Sequence, residues 1–224
     1  ILKECSNKNI SILNMYNHWY DQEQNNVMII TEYCASGNIR NFINKTKKLR
    51  LCVIKKWLKQ TLSAIGFLHS QNIIHRDIKL PNIFLKNGNA ILGDMGLAKR
   101  QKELTFSPIG TPEYMAPEIY DENYNEKIDI YSFGLCILEL MTGEVPYKEF
   151  SNITKLWKAV TNKIKPKSIL KVKNNDALTI INICIENNKN KRPSVKILLN
   201  YPFFYEKNND DQFIKYDIIQ EITD

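Results

Sequence analysis

The stretch His75-Arg76-Asp77-Ile78-Lys79-Leu80-Pro81-Asn82-Ile83-Phe84 sets the problem for the whole chain. Histidine, arginine, aspartate and lysine crowd into five positions, and an asparagine then opens an apolar run. Upstream, Val53, Trp57, Leu58, Leu62, Ile65 and Leu68 recur at three- and four-residue spacing, which predicts a long helix ending near His69. On either side of the charged stretch, Ile73-Ile74, Ile83–Leu85 and Ala90–Leu92 are short apolar pieces separated by Gly, Asn and Pro, which predicts small strands and turns. The stretch therefore sits on a loop held between rigid elements. Twelve residues past Asn82, Asp94-Met95-Gly96 places another carboxylate at a turn. Asp77, Asn82 and Asp94 offer hard oxygen ligands, which suit Mg²⁺ more than zinc, and Lys79 adds a cation beside them. A carboxylate base, a lysine and two oxygen ligands are what phosphoryl transfer needs: the base orients a hydroxyl, and the cations neutralise charge on the transferring group.

Each of these residues has a plainer reading when taken alone. His75 reads as a packed core histidine and Arg76 as a surface ion pair. Asp77, Lys79, Asn82 and Asp94 read as turn formers and helix caps. Their conjunction with Ala116-Pro117-Glu118 favours chemistry.

Further out, Val27–Thr31 (VMIIT) is a short β-branched run that predicts a buried strand. An earlier strand is expected over Ile12–Trp19, with the polar loop Asp21–Asn26 joining the two. From Ile128 to Met141 apolar residues appear nearly all round, which predicts a helix buried on most faces. Further helices are expected near Thr154–Asn162, Asp176–Glu186 and Val195–Leu199. From Lys207 the chain turns polar and charged, as a mobile tail does. A few strands, a narrow connector and a mostly helical body make the fold class α+β.

Composition narrows the function classes. The 224 residues are 43% hydrophobic and 25% charged, ordinary for a globular protein. No apolar run is long enough to cross a bilayer, and no signal-peptide pattern opens the chain. Five scattered cysteines without a CxxC pair read as reduced thiols, which points to the cytoplasm. The three histidines lack metal-ligand spacing. Net charge is +7, but the lysines are spread along the chain with no nucleic-acid-binding motif, so no nucleic-acid partner is expected. The opening Ile1-Leu2-Lys3-Glu4 reads like the interior of a longer chain.

Together these motifs resemble the protein kinases. His75-Arg76-Asp77-x-Lys79-x-x-Asn82 is similar to the catalytic loop, with Ile78 for the usual leucine. Asp94-Met95-Gly96 is similar to the metal-binding turn, with Met for Phe, and Ala116-Pro117-Glu118 closes an activation segment. The resemblance implies a two-lobe fold holding only the rear of the small β lobe and a complete helical large lobe. Residues 1–30 would be the small-lobe remnant, with the end of a helix and two strands. Residues 31–37 would be the hinge, 38–206 the large lobe, and 207–224 the tail.

The same resemblance implies ATP and Mg²⁺ as cofactors. Asp77, Lys79 and Asn82 would be catalytic, with the metal on Asn82 and Asp94. Thr31-Glu32-Tyr33-Cys34 looks like gatekeeper and hinge, where the Glu32 carbonyl and the Cys34 amide would bond the adenine edge. Phe84 would lie beneath the ring and Lys79 near the phosphates. His75 would pack in a hydrophobic spine, Asp129 would anchor the catalytic loop, and Arg192 would pair with Glu118. For Arg192 alone, a helix-terminal surface charge is an equal reading.

Lys79, two residues after Asp77, and Gly110-Thr111-Pro112-Glu113 match the serine/threonine pattern, with Thr111 positioned to bond Asp77 and Lys79. Protein substrates with Ser or Thr acceptors are implied. Residues 109–120, Gly93–Ala98, Tyr16-x-x-Trp19 and Pro146-Tyr147 most resemble the WNK (with-no-lysine) family. That likeness implies a regulatory phosphoserine at Ser107, with Thr105 as a rival, paired electrostatically with Arg76, and a chloride ion at Asp94–Leu97. The glycine-rich loop, the ATP-anchoring lysine and the helix glutamate of kinases do not occur in these residues. The chain by itself is therefore expected to be inactive, and a pseudokinase or non-catalytic interaction scaffold stands as the alternative.

Overall fold

A computed structural model of the protein describes residues 1–103, 109–120, 124–205 and 212–216. A short helix α1 (Leu2–Cys5) precedes a hairpin of β1 (Met15–Asp21) and β2 (Asn26–Thr31). The chain continues through α2 (Ile39–Asn44), β3 (Lys48–Arg50), α3 (Leu51–Ser70), β4 (Ile73–Ile74), β5 (Ile83–Lys86), β6 (Asn89–Leu92) and β7 (Lys99–Arg100). It ends with α4 (Lys127–Thr142), α5 (Ile153–Thr161), α6 (Asn175–Cys184), α7 (Val195–Leu199) and β8 (Phe213–Lys215). The strands form four two-stranded antiparallel pairs: β1–β2, β3–β8, β4–β7 and β5–β6. The architecture is α+β, as the sequence predicts.

Two helices build the core. On α3, Trp57, Leu58, Leu62, Ile65 and Leu68 are buried as the spacing predicts, whereas Val53 is half-buried and Leu51 and Ile54 complete the stripe. On α4 every residue from Ile128 to Met141 is buried, because other elements pack around its whole circumference. Gly134 lets α6 approach: a Cβ there would lie 2.5 Å from the Cys184 Cβ. No side chain fits at that distance without moving one helix.

The β5–β6 hairpin positions the site. Its turn is Asn87-Gly88, both with positive φ (50° and 73°), the backbone that a two-residue hairpin needs. Ile83 faces Leu92, and Gly93 N–H donates to the Asn82 carbonyl at 2.9 Å, extending the ladder by one step. That register carries Asp94 alongside Asn82. At the other side of β6, Leu13 N–H donates to the Leu92 carbonyl at 2.9 Å and ties in the base of the β1–β2 hairpin.

Three expectations are corrected. The VMIIT run is a strand, but an exposed one: Val27 is 64% and Ile29 53% accessible. A β-branched run fixes strand geometry, whereas burial needs a second layer, and the hairpin has only two strands with none packed on its faces among the described residues. The preceding strand starts at Met15, not Ile12, because Ile12 instead bridges to Leu92 in parallel. The polar tail expected from Lys207 carries a strand at Phe213–Lys215, followed by a buried Tyr216. Ile214 and Tyr216 alternate with exposed Phe213 and Lys215, so a two-residue period brings the chain back to the core. Among the described residues no helix is long and apolar enough to cross a membrane, and all five cysteines are free thiols.

Candidate active site

The loop between β4 and β5 is held from below by Asp129, in the first turn of α4. Its Oδ2 accepts from His75 N–H at 2.9 Å and its Oδ1 from Arg76 N–H at 2.9 Å, while His69 Nε2 lies 2.9 Å from Oδ2. These bonds hold Arg76 at φ +67°, a left-handed backbone that costs a non-glycine residue free energy. Burial works to raise the Asp129 pKa, but the bond from His69, the charges of His69 and His75, and the loop amide outweigh it and hold the carboxyl below its ordinary value. His75 is fully buried, and its Nε2 lies 2.9 Å from the Gly93 carbonyl, so the loop and the turn before Asp94 are linked directly.

Asp77 sits at the centre of a polar cluster. Its Oδ1 accepts from Thr111 Oγ1 at 2.7 Å and Thr111 N–H at 3.1 Å. Its Oδ2 accepts from Asn82 Nδ2 at 2.9 Å and lies 2.8 Å from Lys79 Nζ. Lys79 Nζ also donates to Thr111 Oγ1 at 2.6 Å. Burial favours the neutral acid, yet the bonds from Lys79 and Thr111, the Lys79 charge and Asn82 together lower the Asp77 pKa below its usual value. Asp77 is thus an ionised acceptor at neutral pH. Asn82 donates from Nδ2 to both the Asp77 carbonyl and its side chain, which leaves the amide oxygen as the atom that could hold a cation.

Asp94 is exposed, at φ +53°, and its Oδ1 accepts from Gly96 N–H at 3.3 Å. Among the described residues no three His, Cys, Asp or Glu side chains cluster as a metal cage. Two oxygen ligands, Asn82 and Asp94, still fit Mg²⁺, which keeps several waters and takes phosphate oxygens from its substrate. Met95 is 8% accessible and lines, with Leu13, Met15, Val27, Ile29 and Thr31, a largely apolar cavity of about 660 Å³ that also includes Asp94.

The connector after β2 is tied by Glu32. Its Oε1 accepts from Asn14 N–H at 2.8 Å and its Oε2 from Lys86 Nζ at 2.5 Å. The Glu32 carbonyl accepts a 3.2 Å bond from Thr31 Oγ1. Burial, then the Glu32 charge, push the Cys34 thiol pKa up. The Phe84 ring lies against Gly93, where a Cβ would meet it at 2.8 Å.

The segment after the Asp94 turn is anchored at several points. Arg76 Nε donates to the Leu97 carbonyl at 2.6 Å and Nη1 to Tyr124 OH at 3.3 Å. Ser107 and Thr105 lie outside the described residues. Arg192 is 2% accessible and grips Glu118 as a fork, with Nη1–Oε1 at 2.5 Å and Nη2–Oε2 at 2.8 Å. It also donates to the Glu186 and Lys127 carbonyls and stacks over Tyr131, so the surface-charge reading is excluded.

Sequence reasoning missed a second buried polar cluster. Arg40 on α2 and the Tyr114 hydroxyl meet at the Glu139 carboxylate, on the buried face of α4. Burial raises the Tyr114 phenol pKa, so it stays a donor. The signal was a lone carboxylate inside the apolar run Cys136-Ile137-Leu138-Glu139-Leu140-Met141, which burial permits only with partners.

Comparison with known proteins adds sequence-wide similarity. The family model of the protein kinase domain matches residues 1–204. The chain is similar to serine/threonine-protein kinase WNK3 of Mus musculus, 39% identical over 203 residues, which covers 88% of this chain and 12% of that protein. It is also similar to serine/threonine-protein kinase pkpA of Phycomyces blakesleeanus, 40% identical over 204 residues, covering 88% of this chain and 33% of that protein. The chain thus spans a third or less of the length of these relatives.

Proposed function

The chain belongs to the protein kinase domain family, and from that premise we propose that it transfers the γ-phosphate of ATP to serine or threonine hydroxyls of protein substrates, in a WNK-like manner. The observation that carries this reading is the ionised Asp77 carboxylate, held at once by Lys79, Asn82 and Thr111. Thr111 belongs to Gly110-Thr111-Pro112-Glu113, and its bonds to both Asp77 and Lys79 favour a Ser/Thr acceptor.

Asp77 orients the substrate hydroxyl and accepts its proton at a carboxylate oxygen. Two donors already reach each oxygen, so a hydroxyl must displace one of them. Lys79 is the donor free to turn, since its ammonium sits on a flexible stem and a phosphoryl group offers a better partner. Asn82 and Asp94 would hold Mg²⁺, which supplies charge neutralisation at the phosphates when bound. Glu32 and Cys34 present main-chain groups to the adenine edge, with Phe84 beneath it. The 224 residues hold no glycine-rich loop to cover the phosphates, so alone they are expected to bind nucleotide weakly and to turn over negligibly.

The five free thiols favour a reducing compartment such as the cytoplasm. Phosphorylation of Ser107, answered by Arg76, is the regulation this reading implies. At the Asp94–Leu97 turn the Gly96 and Ala98 amides are already bonded within the turn, so a chloride ion would have to use the remaining main-chain amides there. The flexible Met95 shapes such a site loosely, so chloride inhibition should be weak. A chloride series at constant ionic strength, with gluconate as the replacement, on the protein extended by a nucleotide-covering lobe measures it; strong inhibition would refute the loose site.

The decisive test of function is Asp77→Asn in the protein extended by a nucleotide-covering lobe, assayed with Mg–ATP and a Ser/Thr peptide. Loss of transition-state stabilisation on the order of a thousandfold in rate is expected, with nucleotide affinity kept. Near-normal turnover in Asp77→Asn would overturn the assignment.

A further inference from the structure

The small β3–β8 sheet carries a charge arrangement that no acidic partner offsets among the described residues. Lys48 stands directly opposite Lys215, and Arg50 opposite Phe213, while Leu49 and Ile214 form the other face, toward the core. The two lysines therefore share one exposed face, and like charges opposite each other destabilise a strand pair. Among the described residues neither lysine has a carboxylate partner; Lys48 Nζ lies instead over the Phe213 ring, 4.8 Å from its centroid. Lys215 also lines an adjoining cavity of about 310 Å³ together with Lys171, Lys173, Asn174, Gln212 and Phe213. Among the described residues no acidic side chain lines it, and of its lysines Lys171 alone has an ion-pair partner, Glu144 at 2.7 Å.

The sheet that bears these charges is firmly built. Leu51 N–H, at the start of α3, donates to the Gln212 carbonyl at 2.8 Å, and Tyr216 N–H to the Lys47 carbonyl at 2.9 Å. The Tyr216 hydroxyl donates to the Leu140 carbonyl at the end of α4, at 2.8 Å. An unfavourable charge pair is thus held in fixed register on a rigid support.

We infer that the outward face of the β3–β8 sheet, with the lysine-lined cavity beside it, is a docking surface for an acidic segment of a protein partner. Alternate residues of an extended peptide stand about 7 Å apart, the spacing of Lys48 and Arg50 along β3, so carboxylates at every second position can meet successive cations. A two-stranded sheet also leaves each strand one edge of main-chain groups without a strand partner. An extended polypeptide can use that edge, and a nucleic acid cannot.

The test is fluorescence anisotropy of the whole chain with labelled octaglutamate, and octaglutamine as the neutral control, at about 50 mM salt, where screening is modest. Octaglutamate should bind and octaglutamine should not. Lys48→Glu with Lys215→Glu should weaken binding by about tenfold or more, while the remote pair Lys155→Glu with Lys158→Glu should change it less than about twofold. Lys48→Thr with Lys215→Thr keeps strand propensity and removes both charges, so it reads the surface even if the charge-reversed chain fails to fold; it should weaken binding by several-fold. Unchanged binding in the threonine pair overturns the inference, as does an equal loss in the remote pair. It is also overturned if a single-stranded oligonucleotide of equal charge binds more tightly and loses affinity in the same variants. None of these readings depends on phosphoryl transfer, so they stand or fall apart from the proposed function.

Discussion

Asp129 accepts two successive amides of the loop between β4 and β5 and faces His69, all from within the core. Replacing it with asparagine removes the charge those donors point at and should cost about 2–4 kcal/mol of stability, measured by denaturant unfolding. Its pKa is lowered on folding, so its contribution is present above the unfolded value and is lost as pH falls through the folded one. The wild type should therefore lose stability more steeply than Asp129→Asn below about pH 4. Equal slopes in the two proteins would show that Asp129 is not a source of acid sensitivity. Arg192 and Glu118 follow a different rule. Arg192→Ala leaves a buried carboxylate without its partner and should cost about 3–5 kcal/mol, whereas the double change Arg192→Met with Glu118→Leu should cost much less. A double variant as unstable as the single one would place the cost in lost packing.

At the scale of elements, α4 is the platform on which the site is assembled. Its first turn holds the β4–β5 loop, Ser132 Oγ donates to the Tyr114 carbonyl at 2.7 Å, and Glu139 gathers Tyr114 and Arg40. Because Gly134 lets α6 touch the backbone of α4, Gly134→Val should push the helices apart and cost about 1–3 kcal/mol or more, read as a drop in thermal midpoint. Glu139→Gln keeps the volume but loses the charge that Arg40 requires. Tyr114 lies three residues past Thr111, so on the proposed function that change, made in the protein extended by a nucleotide-covering lobe, should raise KM for a Ser/Thr peptide more than KM for ATP. An equal rise in both would point to general loosening instead.

Across the whole molecule, apolar surface is distributed unevenly. The helical body closes over α3 and α4, while the β1–β2 hairpin exposes Val27, Ile29 and Trp19. Exposed side chains contribute little to folding, so Val27→Thr with Ile29→Thr should change stability by less than about 0.5 kcal/mol. It should also reduce self-association in sedimentation runs, since apolar strand faces and open edges pair readily. A loss of stability comparable to a core truncation would mean that the hairpin is covered in solution.

Elements with their own periodicity and residues with their own chemistry are legible from the amino-acid order alone. The stripe on α3, the all-round burial of α4 and the Asn87-Gly88 turn are local patterns, because helix period, strand period and turn dihedrals depend on neighbours only a few residues away. Asp77, Lys79, Asn82 and Asp94 were legible as oxygen ligands and cations in one short span for the same reason. Contacts between distant segments were not legible. VMIIT reads as buried because nothing in a strand records whether a second layer covers it. Phe213–Lys215 reads as tail because its pairing with Lys48–Arg50 spans most of the chain. Glu139 gains its meaning only from Arg40 and Tyr114, which approach it from other elements. Only the tertiary structure could decide these, since burial and ion pairing are set by which surfaces meet.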